Sequence, residues 1–455
     1  MKKRKFLCLL LAFLLLLQQV PILAFAEEEA SSEKSGELMD DNAEESIPAP
    51  PELDCKGVIL IELNSGTTVY ESHADDRLYP ASLTKVMTCL LALEKGNLTD
   101  EVTVDGALLK GLDADASIAG LSPGDRLTLE ELLYCVMVPS ANDASLVVAN
   151  HIAGSVDAFV DMMNEKAKAL GCTNTHFVNP DGLHDEDHYT SARDLSIITK
   201  AALESDIFRT ICGTAVYELT SEATTAEPVL YTTNYFLSTI ITPQYYWEKA
   251  SGVKTGFTTP AGRCLITLVE ENGFSYLCVI LGAKTAYNAN NEAIFGSFTQ
   301  SRALIEYALE NFRFVSVFSH LSPIAQVPVT SGEVKYVIVA PTQDVSALLP
   351  AKYDEKKIDI SYSLTDGDSL AAPIAADQEV GTAKVTYEGK EVGQVALRAI
   401  TAVERNKMLS APTQEDPGFL RLISIIIIVV ALLLLAAVSM NRRRRYRRNK
   451  KRRKK

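Results

Sequence analysis

The chain has 455 residues, 47% hydrophobic and 22% charged, with eight cysteines and a formal net charge of −14. That length and apolar content support at least one sizeable core, which excludes a disordered chain and a small disulfide-stapled scaffold. The charge is divided: all 58 acidic residues lie in 27–416, whereas 12 of the 44 basic ones crowd into 442–455. Four more basic residues open the chain, and Arg421 borders the last apolar run. The middle therefore holds 27 basic against 58 acidic residues, about −31, and a surface of that sign excludes nucleic acid as a partner.

In chain order, Lys2, Lys3, Arg4 and Lys5 precede a long apolar run that closes on Ala24-Phe25-Ala26. A basic start, an apolar middle and small residues at a cleavage position predict a secretory signal over 1–26; an uncleaved anchor is the weaker alternative. Residues 27–53, acidic and Ser-rich and ending in prolines, read as a solvated linker.

Residues 54–314 read as one α/β region. KGVILIELNSGTTVYES alternates around Asn64-Ser65-Gly66, predicting a hairpin, and SLTKVMTCLLALEKG has helical spacing with a stop at Gly96. Thr128 and Glu131 have capping-box spacing ahead of one or two buried helices. VDAFVDMMNEKAKALG predicts a further helix, RCLITLVEENGFSYLCVILGA a hairpin around Asn272-Gly273, and SRALIEYALENF a last helix. Strands at both ends of the region with helices between predict a sheet that joins its first and last segments.

From 315 to 405 helical spacing disappears and short alternating runs such as VKYVIVAP and KIDISYSL predict a small, separate all-β domain. A linker, 406–418, leads to an expected transmembrane helix at 419–440, whose residues 423–440 carry no charge. Eighteen helical residues rise about 27 Å, close to a bilayer core. The basic tail 441–455 then predicts a single-pass protein in the cell membrane, with the tail cytoplasmic and everything before it outside. Without Cys8, seven cysteines remain, widely spaced and with no C-x-x-C pair, so buried thiols are expected. Cys264 with Cys278 is the one bridge left open.

The chemistry rests on three short patterns in the α/β region: Ser82-Leu83-Thr84-Lys85, Ser140-Ala141-Asn142 and Lys254-Thr255-Gly256. Each is weak alone. S-x-x-K recurs at Ser31/Lys34 and Ser251/Lys254, and K-[ST]-G recurs at Lys34-Ser35-Gly36 in the linker. The ordered set, 58 and 114 residues apart, is specific. Three residues make nearly one helical turn, so Ser82 and Lys85 share a face, and a desolvated Lys85 can take the Ser82 proton. Ser140 can pass a proton to a leaving group, and Asn142 can orient Lys85 and a substrate. Lys254 and Thr255 can bind a terminal carboxylate, and Gly256 lets a substrate backbone come close. The backbone N–H groups of Ser82 and Phe257 are the expected oxyanion donors.

This set resembles the serine penicillin-binding proteins and β-lactamases. The longer stretches YPASLTKVMT, PSANDAS, NPDGLHDEDHYTSARDL and GVKTGFTTPAGRCL are similar to the D-alanyl-D-alanine carboxypeptidases, the low-molecular-mass penicillin-binding proteins. The resemblance covers about 55–405 and implies a penicillin-binding/β-lactamase-like catalytic domain followed by the all-β one. It further implies removal of the terminal D-alanine from peptidoglycan pentapeptide stems through an acyl-enzyme on Ser82, and acylation by penicillin. Arg193 matches a family position near the site. Two departures stand out: relatives usually end in an amphipathic helix lying on the membrane, and often place an aspartate where this chain has Ser251.

Two rivals remain. A class A β-lactamase adds a glutamate for deacylation, and no E-x-x-x-N occurs between Ser140 and Lys254. A silent wall-binding or sensing protein would not need the full catalytic set, and the tail is too short for a signalling domain. In HDEDH, His184 and His188 have metal spacing only on a helix, and Pro180, Asp181 and Gly182 predict a loop; no metal and no cofactor are expected.

Overall fold

The computed structural model describes residues 48–112, 116–406 and 417–452. The expected signal, and most of the two linkers, lie outside the described residues.

Alternation and turns build the first region. Strand β1 (Gly57–Glu62) turns through Gly66 into β2 (Thr67–Ser72). A 3₁₀ turn, Ala81–Thr84, leads directly into helix α1 (Lys85–Lys95). Helix α2 (Leu129–Met137) opens on the expected capping box: the Thr128 side chain accepts from the Glu131 N–H, and the Glu131 carboxylate accepts from the Thr128 N–H. Helices α3 (Asn142–Ala153), α4 (Val156–Ala169), α5 (Ala192–Ala202) and α6 (Asp206–Cys212) follow. Then come β3 (Ala250–Thr258), β4 (Gly262–Glu271), β5 (Phe274–Ala283) and α7 (Gly296–Asn311).

The strands form one antiparallel sheet in the order β2-β1-β5-β4-β3. First and last segments do join, through β1 beside β5. The β4–β5 turn is the expected Asn272-Gly273, with φ of +52° and +84°, the two positive values that a two-residue hairpin of this hand requires. Period-2 alternation divides the sheet's apolar side chains between two cores. Leu277, Val279 and Leu281 of β5 join the core under α1–α6, while Tyr276, Cys278 and Ile280 join the one under α7. Helices thus cover both faces. Gly96 ends α1 for a reason other than handedness: its φ is −94°, and a Cβ there would lie 2.4 Å from a Leu129 methyl. Close packing of α1, α2 and α3 demands the glycine.

The second region begins with strand Phe312–Phe318, which pairs with Val345–Pro350. A six-stranded sheet accompanies it, including Tyr336–Pro341, Ile358–Leu364, Glu379–Tyr387 and Lys390–Ala399. Its core is almost wholly Val, Ala and Leu. The two regions touch where Leu348 joins the α7-side core and Phe314 stacks on Phe274 at 5.2 Å. The last helix, Pro417–Arg452, contains at Arg421–Met440 the one stretch among the described residues long and apolar enough by itself to cross a membrane. All seven cysteines in the described residues are free thiols, Cys264 and Cys278 included.

Candidate active site

The three motifs meet in one cleft of about 260 Å³, lined by Ser82, Ser140, Thr255, Gly256 and Phe257 among others. Ser82 sits on the 3₁₀ turn, one residue after Ala81, whose φ of +50° is left-handed. For an alanine that conformation costs roughly 1–2 kcal/mol and persists only where its surroundings hold it. Two glycines press against the turn. A Cβ on Gly256 of β3 would come within 3.2 Å of the Ser82 nitrogen, and one on Gly182 within 2.0 Å of the Ala81 oxygen. Besides the approach of a substrate expected at Gly256, its bare backbone makes room for the turn that carries Ser82.

Lys85, the first residue of α1, is fully buried. Its Nζ lies 2.6 Å from the Asp181 carbonyl oxygen, 2.7 Å from Asn142 Oδ1 and 3.1 Å from Ser82 Oγ. The two shortest contacts are to oxygens that only accept, whereas the third is to a hydroxyl that can also donate. A neutral amine, with two hydrogens and one lone pair, fills this environment by giving both hydrogens to the carbonyls and turning its lone pair to Ser82. Burial drives the Lys85 pKa down to about 8, against the opposing pull of Asp181 and Asp143.

Asn142 is the first residue of α3, and Ser140, before it, holds a left-handed φ of +67° in the bend between α2 and α3. The adjoining Asp143 is buried and accepts backbone N–H bonds from Ala119, Gly120 and Leu121, while Asn142 donates its own N–H to the Ser117 oxygen. Together they pin the segment that brings Ser117 to the cleft. Lys254 and Thr255 stand inside β3. Lys254 is buried, with Nζ 3.1 Å from the Thr255 oxygen. Its pKa is forced well below the ordinary lysine value, first by burial and then by repulsion from Lys85. Thr255 Oγ1 shares a 2.6 Å hydrogen bond with Thr233 Oγ1.

Arg193 stands apart from this group. It is not among the cleft-lining residues, and its guanidinium is engaged by Asp75 and Glu71 at 2.8 Å each. His188 moves the other way. HDEDH is a loop, as expected, and no cluster of metal-ligating side chains occurs among the described residues. Yet His188 is buried with Nε2 2.8 Å from Thr84 Oγ1, two residues past Ser82. Ser117, Thr233, Tyr235 and Arg263 also line the cleft. None stands in a short motif: Arg263 arrives on β4, paired with Phe257 of β3, and Ser117, Thr233 and Tyr235 arrive on loops.

Comparison with known proteins bears on the family and the fold. Residues 44–285 match the family model described as D-alanyl-D-alanine carboxypeptidase, and 312–405 match that of penicillin-binding protein 5, C-terminal domain. The D-alanyl-D-alanine carboxypeptidase DacF of Bacillus subtilis is 31% identical over 356 residues, 76% of this chain and 85% of that one. DacA of Escherichia coli is 29% identical over 367 residues, 78% and 85% of the two chains. The crystal structure of penicillin-binding protein 5 from Haemophilus influenzae superposes with a TM-score of 0.64 at 26% identity, covering 79% of this chain and all of that one.

Proposed function

The chain belongs to the D-alanyl-D-alanine carboxypeptidase family and is a serine-type carboxypeptidase; on that premise we propose how its own residues carry the reaction, and where. Lys85 takes the proton of Ser82 Oγ as that oxygen attacks the carbonyl carbon of the terminal D-Ala-D-Ala bond. Negative charge gathers on the former carbonyl oxygen, received by the N–H groups of Ser82 and Phe257. Ser140 relays the proton taken up by Lys85, giving its own hydrogen to the departing amine as it receives that of Lys85; the C–N bond breaks and D-alanine leaves. Water then cleaves the Ser82 ester, releasing the shortened peptidoglycan stem. Asn142 fixes Lys85. Thr255 and Lys254 receive the substrate's terminal carboxylate, whose charge favours a proton on Lys254 again.

The observation that carries this reading is the environment of Lys85, two pure acceptors and one hydroxyl around a buried amine. A penicillin, with a strained amide and a carboxylate, acylates the same serine. Arg421–Met440 spans the cell membrane once, with the basic tail inside and the cleft outside. Arg193 is proposed as a brace for the segment after β2 rather than a substrate contact, given its carboxylate partners.

The full chain in detergent, incubated with diacetyl-Lys-D-Ala-D-Ala and with a fluorescent penicillin, tests this. Expected are released D-alanine and a long-lived adduct that intact-mass and peptide analysis place on Ser82, both absent from Ser82→Ala. Rapid penicillin turnover without D-alanine would mean a β-lactamase instead. Neither adduct nor release would leave a silent binding protein.

A further inference from the structure

We propose that His188 is a positioning residue for acylation, acting through Thr84 on the peptide group that presents Ser82. The inference rests on Ser82 being the acylated residue. Its geometry has a single consistent polarity. The Val178 N–H donates to His188 Nδ1 at 3.1 Å, so that nitrogen bears no proton and the ring's one N–H is at Nε2. Nε2 then donates to Thr84 Oγ1 at 2.8 Å, and Thr84 spends its one hydroxyl hydrogen on the Ala81 carbonyl at 2.9 Å. Both side chains are buried, so water does not compete for these bonds. Burial also pushes the His188 pKa down to about 4, which keeps the ring neutral and its tautomer fixed near neutral pH.

The far end of the relay matters because of peptide planarity. The Ala81 C=O and the Ser82 N–H belong to one rigid group and point in opposite directions. Gripping the carbonyl therefore aims the N–H that receives the oxyanion. Ala81 is left-handed at φ +50°, a conformation its own sterics disfavour, so an ungripped turn has reason to relax. Lys85 is tied to the same loop by its 2.6 Å bond to the Asp181 oxygen, and Thr88 by a 2.6 Å bond to the Pro180 oxygen. The loop 178–190 thus sets base and nucleophile against each other: Gly182 packs against the Ala81 carbonyl, and His188 is the loop's side-chain hydrogen bond to Thr84 on that turn.

Four full-length variants test the relay by acylation of Ser82 with a fluorescent penicillin and by kcat and KM for D-alanine release. His188→Ala and Thr84→Val each remove a link; His188→Gln and Thr84→Ser keep a donor or a hydroxyl. We expect the first two to lower the acylation rate constant and kcat about 10- to 100-fold with KM within about 2-fold, the size expected for a misaimed oxyanion donor. The double variant His188→Ala/Thr84→Val should be no slower than either single one, because both break one chain. Gln and Ser should recover most of the rate. Wild-type acylation rates in the folded variants, or losses that multiply in the double one, would overturn the relay alone, and Thr84→Val against Thr84→Ser decides it if His188→Ala fails to fold. A wild-type chain that never acylates on Ser82 would overturn the underlying reading, and this one with it.

Discussion

Two regions of this molecule are built on opposite uses of their interiors. In the catalytic region the described chain buries lysines, carboxylates, a histidine and a long series of hydroxyls, from Glu62 to Ser301. In 312–405 no polar or charged residue among those described is buried at all. Buried polar groups are costly unless bonded, and a core of Val, Ala and Leu avoids the problem altogether. The first region therefore accepts a demanding interior because the chemistry needs desolvated groups. The second has only to be stable, and its ion pairs, such as Lys384 with Glu391, lie at the surface.

Substitutions in the two regions should differ in kind. Ser82→Ala should abolish the acyl-enzyme and lower D-alanine release at least on the order of 10⁴-fold, with the fold retained by circular dichroism. Lys85→Met keeps the bulk but removes the base, and a loss on the order of 10²- to 10⁴-fold in kcat/KM is expected in the same assay. Asn142→Ala frees the Lys85 amine from one of its two fixed acceptors and should cost about 10²-fold in kcat. In the other region, Leu397→Ala should destabilise the β-rich domain by about 2–5 kcal/mol in a denaturant titration, with kcat/KM unchanged below its unfolding midpoint. A parallel loss of activity there would show that the β-rich domain shapes the cleft. Lys384→Ala marks the lower limit, with at most about 1 kcal/mol and no change in rate.

Much of this contrast was readable in the residues themselves. Asn272-Gly273 and the Thr128/Glu131 capping box determine local structure within a few residues, and both appear as expected. Ser82 and Lys85 needed only helical spacing to be placed together, and the change from helical to alternating pattern near 315 marked the second region. What stayed hidden depends on distant segments. Lys254 owes its place to the pairing of the edge strand β3 with β4, a contact that no local pattern announces. Gly96 and Gly256 owe their identity to side chains and backbone far away in sequence. The HDEDH segment reads as a loop without a metal, and nothing local assigns His188 a role; its partner, Thr84, is 104 residues away. Arg193 shows the converse, a residue placed near the site by resemblance whose bonds are to Asp75 and Glu71.

In the mechanism we propose, a buried, neutral lysine activates the serine. Its most direct test is the rate constant for acylation of the wild-type chain by penicillin, measured from pH 6 to 10.5 by stopped flow. Lys85 is lowered from an ordinary 10.5 to about 8, and only its deprotonated form accepts the Ser82 proton. The rate should therefore rise with pH, reach half its limit near 8 and then level off. A midpoint at the ordinary lysine value, or a rate that falls as pH rises through 8, would contradict the account.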